Sequence, residues 1–135
     1  MNDAYKIREA TGKDLISILG LINKQSNNGK ILKRTRKDVR KVLRSFHVAE
    51  DEDGVVVGCA AIEIYNKKLA EIRSLVVTPA HQRQGIATAL IERLVAIAKK
   101  KEVYEVLAIT DRSDVFDPHG FSQQLQGQKA LFLRP

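Results

Sequence analysis

Leu69-Ala70-Glu71-Ile72-Arg73-Ser74-Leu75-Val76-Val77-Thr78-Pro79-Ala80-His81-Gln82-Arg83-Gln84-Gly85-Ile86-Ala87-Thr88-Ala89-Leu90 holds two periodicities joined by a proline. Glu71 to Val77 is short, rich in β-branched residues and largely apolar, which predicts a buried strand. Pro79 ends it, because proline lacks the donor that a central strand needs. From Gly85 the period changes: Ile86, Leu90, Leu94 and Ile97 fall three or four apart, with Glu92, Arg93, Lys99 and Lys100 between or beyond them. That spacing predicts an amphipathic helix. Its first turn carries amide N–H groups without internal partners and the positive end of the helix dipole. Gly85 admits an anion close to the backbone and Ala87 adds little bulk. The run Gln82, Arg83, Gln84, Gly85, Ile86, Ala87 and Thr88 is therefore a candidate diphosphate cradle. Short glycine motifs also open helices that bind nothing. The surrounding order of strand, bend, helix and second strand (Val103 to Ile109) gives this one its weight.

The chain has 135 residues, 44% hydrophobic content and a net charge of +7 with pI ≈ 9.7. These values predict a single domain over residues 1–135, with a modest core and a preference for anionic ligands. The one cysteine, Cys59, excludes an intrachain disulfide and suits a reducing compartment. No run approaches the roughly 20 apolar residues of a membrane span, and the N-terminus lacks the apolar core of a signal peptide. A cytoplasmic protein without membrane attachment is expected.

Taken in order, Tyr5 to Glu9 reads as a strand and Thr11, with Asp14 three residues on, as the cap of a helix whose apolar face is Leu15, Ile18, Leu19 and Ile22. Asn27-Asn28-Gly29 stops it. Lys30 to Arg44 holds eight Lys or Arg. Thr35 and Asp38 can cap a second helix there, with Val39, Val42 and Leu43 inward. The basic run reads as a solvated face. Nucleic acid is not the expected partner, since Trp is absent, aromatics are 5% and no recognition motif is present. Phe46 to Glu50 is a second strand, Asp51-Glu52-Asp53-Gly54 a hairpin turn, and Val55 to Tyr65 a long central strand. Its small residues, Gly58, Cys59, Ala60 and Ala61, permit close approach by a neighbour or ligand. Val115 to Gly120 reads as a short helix, with Phe121–Gln124 and Lys129–Leu133 as final strands. His47, His81 and His119 lack metal-ligand spacing, so no metal is expected.

The element order β, α, α, β, β, β, α, β, α, β, β, with Gln82, Gly85 and Ala87 matching a signature of Arg or Gln, two residues, Gly, one residue, then Gly or Ala, resembles the GNAT N-acetyltransferases over nearly the whole chain. The resemblance implies an α/β fold with a mixed central sheet, helices on both faces and central strands splayed to admit acetyl-CoA. Within the family, the acetyltransferase domains of N-acetylglutamate synthases are most similar. The carrying stretches are Gly29-Lys30-Ile31-Leu32-Lys33-Arg34-Thr35, Gly58-Cys59-Ala60-Ala61-Ile62, Ala70-Glu71-Ile72-Arg73-Ser74, and Thr110-Asp111-Arg112-Ser113 with Gly120-Phe121 beyond. The resemblance implies acetylation of an amine, with the α-amino group of a small amino acid such as glutamate favoured, and hence a place in arginine biosynthesis. Peptide N-termini, lysine side chains, polyamines and a non-catalytic acyl-CoA-binding module stay open as alternatives, and a homodimer is possible on this fold. Two departures are expected: no amino-acid-kinase domain ahead of this one, and Phe116 in the position where many GNAT enzymes place a tyrosine. With the end at Pro135, one wall of the acceptor pocket is expected to be reduced or to differ.

The chemistry assigns candidates. The amine must lose a proton before it attacks, and Glu71, a carboxylate in an otherwise apolar strand, is the candidate base, with Glu63 in reserve. Pairing of Glu71 with Lys67, Lys68 or Arg73 at a strand edge is the structural alternative. By the resemblance, a backbone N–H of Leu75, Val76 or Val77 stabilises the oxyanion, and Phe116 belongs to the acetyl-CoA site. Ser113 either assists the departing thiolate or serves as a turn or cap residue. Arg34 is the first candidate carboxylate clamp, since guanidinium matches that group with two parallel hydrogen bonds. Arg112 and Arg134 follow, and Leu32, Arg73 and Ser74 complete the acceptor set by resemblance. Cys59 as an acyl carrier is disfavoured, because no His or Lys adjoins it.

Overall fold

A computed structural model describes residues 4–26 and 34–135. Its main sheet has the order β1-β2-β3-β4-β5, formed by Lys6–Glu9, Phe46–Glu50, Val56–Ile64, Leu69–Val77 and Glu105–Ala108. The first three pairings are antiparallel and β4 with β5 is parallel. A parallel pair needs a crossover, and helix α3 (Ile86–Lys100) supplies it. This is the mixed sheet expected of the GNAT fold.

Helices cover both faces. On one, α1 (Leu15–Ser26) and α2 (Arg36–Lys41) place Ile18, Ile22 and Val39 against Phe46, Val48, Cys59, Ala61 and Val76. On the other, α3 packs Ile86, Leu90, Ile91 and Leu94 onto Ala49, Val57, Ala60 and Ile62. β3 is buried continuously from Val57 to Ile62 because both of its faces are covered. Gly58 has a specific task. A Cβ there would lie 3.2 Å from Ile86 Cγ2 and 3.3 Å from the Val76 carbonyl, so its bareness seats the first residue of α3 on the sheet.

The local signals are visible as geometry. Thr35 caps α2, with its hydroxyl accepting from the Asp38 N–H at 3.1 Å and its own N–H donating to the Asp38 carboxylate at 3.2 Å. Thr11 and Asp14 form a similar link (2.7 Å), but around a 3-10 turn over Gly12–Asp14 that leads into α1. Asp14 is buried and held by both arms of Arg8, at 2.8 and 2.9 Å, which together with the Thr11 N–H keeps its carboxyl below the usual range. The Asn27-Asn28-Gly29 helix stop lies outside the described residues.

The C-terminal part differs from expectation. After α4 (Ser113–Phe116) come a 3-10 turn over Asp117–His119 and, as the only further strands, a two-residue hairpin of β6 (Gln124–Leu125) with β7 (Gln128–Lys129), separate from the main sheet. Leu131, Phe132 and Leu133 are 91%, 71% and 89% exposed and belong to no strand, so the strand expected over Lys129–Leu133 does not form: its apolar residues have no sheet to pack on. β5 is also shorter than the predicted Val103 to Ile109: its pairing ends at Ala108, and Ile109 is exposed.

Candidate active site

The parallel pairing that builds the sheet also opens it. β5 accompanies β4 only from Leu69↔Glu105 to Ile72↔Ala108, whereas β4 runs on to Val77 paired with β3 alone. A bulge sits at the start of this unaccompanied part, where the register slips opposite Cys59 to Ala61 and Ser74 takes a left-handed backbone (φ 58°). Bulges re-aim a strand and often neighbour active sites. Further along, the Thr78 N–H donates to the Val57 carbonyl at 2.9 Å, on the β3 side. Strand polar groups alternate sides, so Val77 and, two residues back, Leu75 turn theirs to the open side. The splayed strands bound a cleft of about 1190 Å³, walled by β4, α2, the start of α3 and the segment from Ile109 to Pro118.

One end of the cleft is the cradle. Arg83 (φ 64°) and Gly85 (φ 85°) both adopt the left-handed conformation, and Gly85 stands directly before α3. Nothing lies within 4 Å of where a Gly85 Cβ would be, so the glycine meets the backbone demand and leaves open space. Gln82 folds back to donate its Nε2 to the Val77 carbonyl at 3.1 Å, tying the loop to the end of β4. His81 Nδ1 meets Thr78 Oγ1 at 2.7 Å, and its ring packs edge-on against Tyr5. The first turn of this fifteen-residue helix holds no acidic residue. Free N–H groups, a positive dipole end and Arg83 on the cleft wall fit a diphosphate.

The other end is polar. Glu71, mid-strand in β4, is on the cleft wall and accepts from the Tyr65 hydroxyl at 2.6 Å. Its cross-strand partner Glu63 is bridged to Arg73 at 3.0 Å. The Arg73 guanidinium is thus neutralised, as is that of Arg112, which grips Asp114 at 3.0 and 2.9 Å. Arg34 is different. Its backbone is clamped by Asn23 (3.0 and 3.1 Å), and its Nη1 reaches the Ser74 hydroxyl at 3.3 Å with no carboxylate in ion-pair contact among the described residues.

The cleft wall thus gathers Glu71, Arg34, Arg73, Ser74, Arg112, Leu75, Val76, Val77, Phe116 and most of the cradle loop. Three described candidates fall elsewhere. Gln84 is exposed and its side-chain oxygen accepts a hydrogen bond from the Tyr5 hydroxyl. Ser113 is exposed at the start of α4, outside the wall, and Arg134 is exposed in the terminal segment. Leu32 lies outside the described residues. Sequence reasoning passed over Asp38, Lys41, Thr110, Asp111 and Asp114, which share the wall. Asp38 was legible only as a helix cap, and no local pattern signals which side of a short helix or turn will face a distant strand. Phe116 packs edge-on against Phe121 at 5.2 Å between ring centres. Cys59 is fully buried behind β4, its thiol pushed up to about 12 by burial. Among the described residues, no three His, Cys, Asp or Glu side chains converge as metal ligands, and no helix is long and apolar enough to cross a membrane.

Comparison with known proteins agrees with this fold. The acetyltransferase (GNAT) family pattern matches residues 19–121. An uncharacterized N-acetyltransferase of Chlorobaculum tepidum is 35% identical over 117 residues, covering 87% of this chain and 75% of that protein. The amino-acid acetyltransferase of Mycobacterium tuberculosis is 32% identical over 120 residues, covering 87% and 68%. The N-acetylglutamate synthase of Neisseria gonorrhoeae, solved with coenzyme A and N-acetyl-glutamate, superposes with a TM-score of 0.82 at 27% identity. That match covers 90% of this chain and 29% of the synthase. The chain belongs to the GNAT family and is an acetyl-CoA-dependent acetyltransferase.

Proposed function

We propose that this enzyme acetylates the α-amino group of a small amino acid bearing a second acidic group, glutamate being favoured. The observation that carries the reading is the contrast among the cleft arginines: Arg73 and Arg112 are spent on Glu63 and Asp114, whereas Arg34 donates to a serine hydroxyl and makes no ion pair among the described residues. Such a guanidinium, on the same wall as Glu71, is available to a carboxylate of the acceptor. The names of the amino-acid acetyltransferase relative and the N-acetylglutamate synthase structure support the same class.

In this reading the α3 cradle and Arg83 hold the diphosphate of acetyl-CoA, and the open-side amides of Leu75 and Val77 receive the thioester carbonyl oxygen. The bound thioester supplies the activated acetyl group. Glu71 accepts the amine proton. Arg34, beside Ser74, orients the acceptor. Thiolate departs without a tyrosine donor, which is feasible for a thiol of pKa about 8.5. The 135 residues act as one unit in the cytoplasm, singly or as a homodimer. If glutamate is the acceptor, the product is N-acetylglutamate and the setting is arginine biosynthesis.

A second reading draws on Phe116, which lines the cleft where a tyrosine would be a ready acid: the protein binds acyl-CoA without turning it over. Mass spectrometry of an equimolar amino-acid mixture incubated with acetyl-CoA separates the two. N-acetylglutamate as the dominant product supports the first, and bound cofactor with no acetylated product supports the second.

A further inference from the structure

Four side chains on the acceptor side of β3 and β4 stand as two diagonal pairs. Glu63 and Glu71 face each other directly across the strands, an arrangement that like charges disfavour. Each is engaged by a different donor: Glu63 by the Arg73 guanidinium at 3.0 Å, Glu71 by the Tyr65 hydroxyl at 2.6 Å. The ion pair takes Oε2 of the reserve carboxylate and binds it to a cation. The phenol takes only Oε1 of Glu71, and Oε2 has no hydrogen-bond partner among the described residues. Tyr65 follows the last residue of β3 and is half exposed, outside the cleft wall, while Glu71 is part of that wall.

We propose that Tyr65 is a positioning residue for proton removal: it holds Glu71 as an oriented carboxylate whose Oε2 receives the proton of the acceptor, directly or through one water. The inference rests on the reading of Glu71 as the base. In the step, one N–H bond of the acceptor ammonium breaks, an O–H bond forms on Glu71, and the electron pair stays on nitrogen for attack. A phenol donating to a carboxylate stabilises its charged form. The same contact pushes the Tyr65 hydroxyl up to about 12, so it remains a donor throughout the neutral range. The other groups around Glu71 do not duplicate this contact. Leu107 opposes it from β5, Arg73 is tied to Glu63, and Arg34, Asp38, Lys41, Asp111, Arg112 and Asp114 reach the cleft from α2 and the β5–α4 segment.

The test is Tyr65→Phe, alone and combined with Glu71→Gln, read by the orientation of the Glu71 carboxylate in a crystal structure of the variant and by kcat with glutamate as acceptor. The expected result is that the Glu71 carboxylate leaves its wild-type orientation, having lost a partly exposed charge-assisted hydrogen bond. kcat should fall about 3- to 10-fold on the same basis, with the acetyl-CoA KM within about twofold. In the Glu71→Gln background, Tyr65→Phe should cost nothing further. An unmoved Glu71 carboxylate, or an undiminished loss in the double variant, overturns the positioning role even when Glu71→Gln itself is slow. A wild-type kcat in Glu71→Gln removes the base and Tyr65 with it. The crystal structure needs no acceptor, so it decides the carboxylate-holding claim whichever amine the enzyme uses.

Discussion

Arg34 Nη1 donates to Ser74 Oγ at 3.3 Å, joining residues 40 positions apart across the acceptor end of the cleft. Each partner is held by its own backbone: Arg34 by Asn23 on α1, and Ser74 by the bulge in β4. The guanidinium is therefore placed before substrate arrives, and the entropy of ordering it is not charged to binding. Arg34→Ala should raise the amino-acid KM about 10- to 100-fold while the acetyl-CoA KM moves less than about twofold, since a charge-assisted bond is worth roughly 1.5–3 kcal/mol. Initial rates with each substrate varied in turn check this. Equal rises in both constants would assign Arg34 to folding or cofactor electrostatics instead.

Gly58 predicts a separable effect at the other end. Adding a Cβ would press on Ile86 and on the Val76 carbonyl at 3.2 and 3.3 Å, shifting the start of α3 by a few tenths of an ångström. Gly58→Ala should destabilise the fold by about 1–3 kcal/mol, the usual cost of overpacking. It should raise the Kd for coenzyme A more than the amino-acid KM. Urea melts and calorimetric titration measure the two parts. Unchanged coenzyme A binding with full stability would remove Gly58 from the cradle's support.

Asp14 gives a pH dependence of stability. Arg8 and the Thr11 N–H hold its carboxyl below the ordinary value. A carboxyl depressed in the folded state contributes fully above its unfolded pKa of about 4 and loses that contribution as the pH falls through the folded value. Asp14→Asn should therefore lower stability near pH 7 by about 2 kcal/mol and flatten the acid side of the stability curve below about pH 4. Urea unfolding at a series of pH values is the check. A parallel loss at every pH would assign the effect to packing alone.

Cys59 should be chemically silent. Its thiol donates to the Ser74 carbonyl at 3.5 Å, and burial pushes it up to about 12, so essentially no thiolate exists at pH 8. Iodoacetamide should leave the native protein unmodified at pH 8, and Cys59→Ala should keep kcat within about twofold. A trapped acetyl-thioester on Cys59 would contradict direct transfer.

The fold was legible where a signal is local. The change of period at Gly85 located β4 and α3, and Thr35 with Asp38 marked the start of α2. Phe46–Glu50 was read to the residue. The final strands were misplaced because Leu131, Phe132 and Leu133 stay exposed, and apolar residues predict a strand only where another element is present to cover them. The left-handed Ser74 carried no glycine to announce it. At the site, the cradle was legible because it is contiguous. The acceptor end was not, because it depends on pairings across strands. Arg73, an acceptor residue by the resemblance, lies on the cleft wall but is tied to Glu63, a pairing that only the cross-strand register reveals. The contact of Glu71 with Tyr65, six residues away over a turn, replaced the lysine and arginine pairings considered from sequence.

The central claim is that the acceptor is an acidic amino acid, and release of free thiol from acetyl-CoA over a panel of twenty amino acids, each against an acceptor-free blank, tests it most directly. The account expects a glutamate-dependent rate, weaker rates with aspartate and glutamine, and none with lysine or arginine. A rate that favours basic or apolar amino acids, or release only in the presence of peptides, would contradict it.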